Sequence, residues 1–108
     1  MSKMTLVEKV GQMFLIRCNK LTAFDDINQY KIGGFILFDD NINGEKKESL
    51  TNTLKSYQEN SSINLLMAID EEGGIVNRLS WYPEFRTVPF YSPQGLYNEG
   101  GYPLIVSD

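Results

Sequence analysis

The residues best suited to chemistry lie in one stretch, Asp70-Glu71-Glu72-Gly73-Gly74, with a lone arginine, Arg78, eight positions past Asp70. Carboxylates accept hydrogen bonds in pairs, and a guanidinium donates them in a fixed planar fork, so together they suit a polar ligand. The paired glycines allow a sharp turn and let a ligand approach the backbone without meeting a Cβ. Arg78 reaches the same rim as Asp70 if the loop doubles back. On composition alone the plainer reading also holds, a strand end capped by solvated acids.

The stretch before the acids, Leu65-Leu66-Met67-Ala68-Ile69, is continuously apolar. It has the length and pattern of a strand buried on both faces, as in a parallel sheet covered by helices. Ligand groups in such proteins sit at the carboxyl ends of the strands, which is where Asp70 falls.

Other chemistries are excluded by what the sequence lacks. The chain has 108 residues and no histidine, which removes imidazole acid–base catalysis, His-based metal sites and the Ser-His or Cys-His nucleophile systems. Asp39-x-Asn41-x-Asn43-Gly44 copies the first half of a calcium loop, but position twelve is Leu50 and not glutamate, so it reads as a turn with a helix start. No metal or cofactor is expected. A net charge of −4 disfavours a nucleic-acid groove or an anionic membrane surface. No apolar run approaches the roughly 20 residues of a membrane span, and the single Cys18 has no partner for an internal disulfide. A signal sequence removed from a secreted parent would leave no trace here; as given, the chain reads as soluble.

Around the acids, strands and helices alternate. Thr5-Leu6-Val7-Glu8 is a capping box that starts a helix, followed by a strand from Phe14 to Arg17. Leu21, Phe24, Ile27 and Tyr30 recur at helical spacing, with the helix started near Thr22 and stopped by Gly33-Gly34. Phe35 to Phe38 is a second strand ending in the turn residues Asp39-Asp40-Asn41. A third helix runs from Glu45 to Glu59 with a stripe of Leu50, Leu54 and Tyr57, and Asn64 to Ile69 is the third strand. This order predicts right-handed βαβ units and a parallel sheet. Trp81 to Pro93 is an aromatic, proline-rich loop, read either as part of a site wall or as a cover for the sheet end. Three parallel strands leave two unpaired edges, and a closed barrel takes about 250 residues. The chain is therefore expected to be a small α/β domain or the front end of something larger, with self-association through exposed strand edges, or binding of a sugar or other polyol between Asp70 and Arg78, as alternative modes of action.

Three motifs stand in order: Thr5-Leu6-x-Glu8-Lys9-Val10-Gly11-Gln12-Met13-Phe14, Ile32-Gly33-Gly34-Phe35-Ile36-Leu37-Phe38, and Ile69-Asp70-Glu71-Glu72-Gly73-Gly74-x-Val76-x-Arg78-Leu79. Together they resemble the N-terminal part of glycoside hydrolase family 3, in its β-N-acetylhexosaminidase branch, across essentially the whole chain. The resemblance implies an α/β fold that is a partial TIM-type (β/α) barrel, its first three or so parallel strands with their helices, forming residues 1–108 of an incomplete barrel domain. It implies a retaining enzyme that releases terminal β-linked N-acetylglucosamine from glycans or cell-wall fragments through a covalent glycosyl-enzyme. It further implies that Asp70 and Arg78 bind the sugar and that Glu72 holds the loop through a hydrogen bond or ion pair. The acid/base histidine and the nucleophile of that family would lie beyond this segment, so no catalytic residue is assigned and the chain alone is expected to be inactive. The ending Ser107-Asp108 looks like the nucleophile motif, but it follows the acidic stretch too closely, and Asn98-Glu99-Gly100-Gly101 followed by Leu104-Ile105 fits the start of a helix after the aromatic loop equally well.

Overall fold

A computed structural model describes residues 3–107. They form two compact units that meet in sequence at Ile69-Asp70, and each is described by itself.

The first unit opens with helix α1, Leu6–Gly11. Its capping box forms as the sequence predicts. The Thr5 hydroxyl accepts the Glu8 N–H at 3.2 Å, and the Glu8 carboxylate accepts the Thr5 N–H at 2.7 Å. Those hydrogen bonds hold the Glu8 carboxyl below its ordinary pKa. Strand β1 is Leu15–Arg17, helix α2 is Ala23–Tyr30 and strand β2 is Gly34–Leu37. A one-turn helix α3, Asp39–Ile42, precedes the long helix α4, Lys47–Asn60, and strand β3, Leu66–Ile69, closes the unit. The sheet is fully parallel in the order β1-β2-β3. Phe35 pairs with Ile16 on one side and Met67 on the other. Sequential neighbours joined by helices make this a partial (β/α) barrel arrangement, the α/β class read from the sequence.

The core sits where β2 meets α2 and α4. Phe35, Ala23 and Ile42 are fully buried and Ile27 nearly so. The Tyr57 ring packs against Phe24 at 5.2 Å and Phe35 at 5.4 Å, within the range of favourable aromatic contacts. Burial pushes the Tyr57 hydroxyl up to about 12 and raises the thiol of its neighbour Cys18. Two glutamine side chains bond to the backbone just ahead of β2 and β3. Gln12 donates to the carbonyls of Lys31 and Ile32, and Gln58 both donates to and accepts from the backbone of Leu65, at 2.7 and 2.9 Å. Gly11 lies against the carbonyls of Tyr30 and Lys31, space that a Cβ would need.

The first unit departs from expectation at four points. α2 is ended by Lys31, whose φ of 52° places it in the left-handed region, before Gly33-Gly34 is reached. Leu21 lies ahead of the N-cap Thr22 and is 92% exposed, so it does not belong to the buried stripe. Where a turn with a helix start is expected, Asp39 to Ile42 is already wound into α3, because the buried Asn41 side chain accepts the Phe38 N–H at 2.9 Å and donates to the Cys18 carbonyl at 3.1 Å. Finally, β3 is not buried on both faces. Among the described residues it is an edge strand, with Leu66 69% exposed and the other three residues half-buried.

The second unit begins at Asp70. Its one long element is α5, Pro93–Ser107, interrupted at Gly101 with φ 66° and ψ −157°. Ser92 starts it, its hydroxyl accepting the Gly95 N–H at 3.1 Å, and Pro93 takes the first helical position, where its missing N–H costs nothing. Residues before it form a loop with a single antiparallel bridge, Gly73 to Val76. Beyond the interruption at Gly101 the chain is helical again as far as Ser107, in keeping with a helix after the aromatic loop; Asp108 lies outside the described residues.

Candidate functional site

Asp70 leaves the carboxyl end of β3 half-buried, the position at which barrel proteins place ligand groups. The chain then turns on Gly73 and Gly74, with φ of 81° and 64°, where a side-chain-bearing residue would be strained. At Gly73 a Cβ would also run into the Tyr91 carbonyl. The Gly73 N–H meets the Val76 carbonyl at 3.0 Å, and the chain comes straight back.

What fastens the return is Glu71. One carboxylate oxygen accepts the backbone N–H of Leu79 at 2.8 Å and of Arg78 at 3.3 Å; the other accepts the N–H of Ser80 at 3.2 Å and the Ser80 hydroxyl. Three consecutive amides thus converge on one carboxylate, the arrangement that favours the ionised form. Burial by itself would raise the Glu71 pKa, but the hydrogen bonds from the Ser80 hydroxyl and the Leu79, Ser80 and Arg78 amides outweigh it and hold the carboxyl below its ordinary value.

Around this clamp a small polar network is closed. The Ser80 hydroxyl also lies 2.9 Å from Asn77 Oδ1 and 3.5 Å from the Phe90 N–H. Asn77 Nδ2 donates to the Gly74 carbonyl at 2.8 Å and lies 3.5 Å from that of Phe90, which the Gly74 N–H also reaches at 3.0 Å. Asn77 and Ser80 are each only 2% exposed, and their polar atoms are hydrogen-bonded as buried polar groups should be. The Arg86 guanidinium stacks 3.8 Å above the Phe90 ring. The loop containing Arg78 is in this way tied to the aromatic stretch after it, whose Trp81 and Tyr91 are more than half exposed.

The loop does double back, and it returns the backbone of Arg78 to Glu71, the neighbour of Asp70. The role given to Glu72 needs correction: Glu72 is exposed, and the carboxylate holding the loop is that of Glu71. The two acids are adjacent, and adjacent side chains of an extended chain face opposite ways, so the motif itself does not say which turns inward. Asn77 and Ser80 carry no distinguishing sequence signal beyond being small hydrogen-bonding residues three apart. In the first unit, Arg17 and Asp40 at the carboxyl ends of β1 and β2 form an ion pair at 3.2 Å, with Arg17 also 4.7 Å above the Phe38 ring. Both charged side chains are more than half exposed, where such a pair contributes little stability. An apolar cavity of about 560 Å³ lies elsewhere in that unit, walled by Leu6, Val10, Phe14, Ile16 and Ile32.

Residues 5–89 match the model of the glycosyl hydrolase family 3 N-terminal domain, a span that contains Asp70, Glu71 and Arg78. Over 57 residues the chain is 47% identical to beta-hexosaminidase A of Pseudoalteromonas piscicida. That stretch is 50% of this chain and 10% of the length of that relative. No solved structure matches the chain.

Proposed function

Because the chain belongs to glycosyl hydrolase family 3, through that family's N-terminal domain, we propose that it is the sugar-holding front of a retaining β-N-acetylhexosaminidase. In this reading the 108 residues are part of an incomplete barrel domain. Asp70 and Arg78 bind a terminal N-acetylglucosamine. The observation that carries the reading is the return of Arg78 to the residue beside Asp70, locked by the Glu71 carboxylate. A carboxylate accepts hydrogen bonds from sugar hydroxyls, and a guanidinium donates to others in a fixed fork. The name of the similar hexosaminidase supports the substrate class. Retaining hydrolysis needs a nucleophile and an acid/base facing each other across the scissile bond. The chain has no histidine to serve as the family's acid/base, so as given it holds sugar and does not cut it. No cofactor enters this reading.

Titrating the chain with N-acetylglucosamine while following Trp81 fluorescence tests the binding part. Saturable change in the parent chain, lost in both Asp70→Asn and Arg78→Ala, is expected; an unsaturable or variant-independent signal overturns it. Incubation with a chromogenic N-acetylglucosaminide tests the inertness. Turnover above a protein-free blank that Asp70→Asn abolishes would show that the chain is itself an enzyme.

A second reading, association with another copy, is favoured by the apolar side chains left exposed on α1 and next to β1: Leu6 at 76%, Met13 at 75% and Phe14 at 53%. Sizing chromatography over a concentration series decides it, and a monomer at every concentration removes it.

A further inference from the structure

Arg78 is held in place by a residue that does not belong to the sugar-binding pair. The Glu71 carboxylate accepts the backbone N–H groups of Arg78, Leu79 and Ser80 together with the Ser80 hydroxyl. On its other side Ser80 is anchored through the buried Asn77 to the Gly74 carbonyl. A carboxylate that collects three successive amides fixes the peptide planes from residue 77 to residue 80, and with them the direction in which the Cα of Arg78 projects its side chain. An arginine carries several rotatable bonds, so fixing its root removes part of the entropy that would otherwise be lost when it grips a ligand. From this geometry we infer that Glu71 is the positioning residue for Arg78: it touches no substrate, and it sets the orientation of the guanidinium through the backbone. The sugar-affinity part of this inference rests on the function proposed above; the positioning part does not.

The two parts are separated by two measurements on the full 108-residue chain. The first is nuclear magnetic resonance without sugar, comparing the parent chain with Glu71→Gln and Glu71→Ala. Loss of the clamp is expected to speed amide exchange at Arg78, Leu79 and Ser80 by about tenfold or more in the alanine variant. The Arg78 Nε–H resonance is expected to move with it, while the Phe35 and Ile36 amides in β2 stay unchanged. Glutamine keeps one acceptor oxygen but turns an NH₂ toward the remaining amides, so it should fall between the two. Unchanged exchange at residues 78–80 in Glu71→Ala, or equal acceleration in β2, overturns the positioning role.

The second measurement is a double-mutant cycle in N-acetylglucosamine affinity. If Glu71 acts only through Arg78, Glu71→Ala weakens binding by about tenfold in the parent background, and the double variant with Arg78→Ala binds within about twofold of Arg78→Ala alone. Fully additive losses show that Glu71 acts on the sugar by another route. A parent chain that binds no sugar overturns the proposed function, and the resonance data then still decide the role of Glu71.

Discussion

Phe35, Ile27 and Ile42 are buried apolar side chains of the first unit, whereas after Ile69 the buried side chains among the described residues are Asn77 and Ser80. The first unit is held by apolar area and strand ladders; the loop after Asp70 is held by side chains that satisfy backbone groups. The two designs fail differently. An apolar core loses stability in proportion to the atoms removed and the cavity left behind. A closed polar network is sensitive to single atoms, because each lost partner strands a buried donor or acceptor. The first suits a scaffold, and the second suits a loop whose backbone must present an arginine in one orientation.

The contrast is broken most forcefully by Phe35→Ala. Removing a fully buried ring that packs on Tyr57 is expected to lower global stability by about 3–5 kcal/mol in urea unfolding; a loss below about 1 kcal/mol would mean that the sheet does not rest on this core. Next is Ser80→Ala, which removes a hydroxyl serving Glu71 and Asn77. About 1–3 kcal/mol is expected, read as faster amide exchange confined to the loop, and a matching acceleration in β2 would erase the distinction between the units. Acid acts on the same clamp. With the folded pKa of Glu71 below its ordinary value, its contribution is complete above the unfolded value of about 4.3 and is lost as pH falls through the lower folded value. The difference in loop protection between the parent and Glu71→Gln should therefore be present at about pH 6 and shrink below about pH 4; a difference that grows in acid contradicts the sign. The smallest effect belongs to Leu21→Ala, expected to stay within about 0.5 kcal/mol because the side chain is 92% exposed.

Most of the scaffold can be read from residue pattern. The Thr5–Glu8 capping box, the apolar run before Asp70 and the Leu50–Tyr57 stripe each express a local rule, and each forms close to its expected place. Errors arise where a tertiary contact decides. Leu21 fits a helical period but precedes the N-cap, and a lysine in the left-handed region at position 31 is not what composition suggests for a helix stop. α3 is wound by the long-range bond from Asn41 to Cys18, which no neighbouring residue announces. At the candidate site, motif and spacing bring Asp70 and Arg78 to notice, and glycine chemistry predicts the turn. They do not identify which glutamate turns inward, since that depends on where the amides of residues 78–80 lie once the chain has come back.

The tip of the returning loop offers a practical opening. Ile75 is 92% exposed, and the one native thiol, Cys18, is 1% exposed. A cysteine installed as Ile75→Cys would be the thiol that a bulky maleimide reaches first. A fluorophore there would ride on the hairpin-like bend between Gly73 and Val76, turning the loop into an optical reporter while leaving the residues below it in their native chemistry.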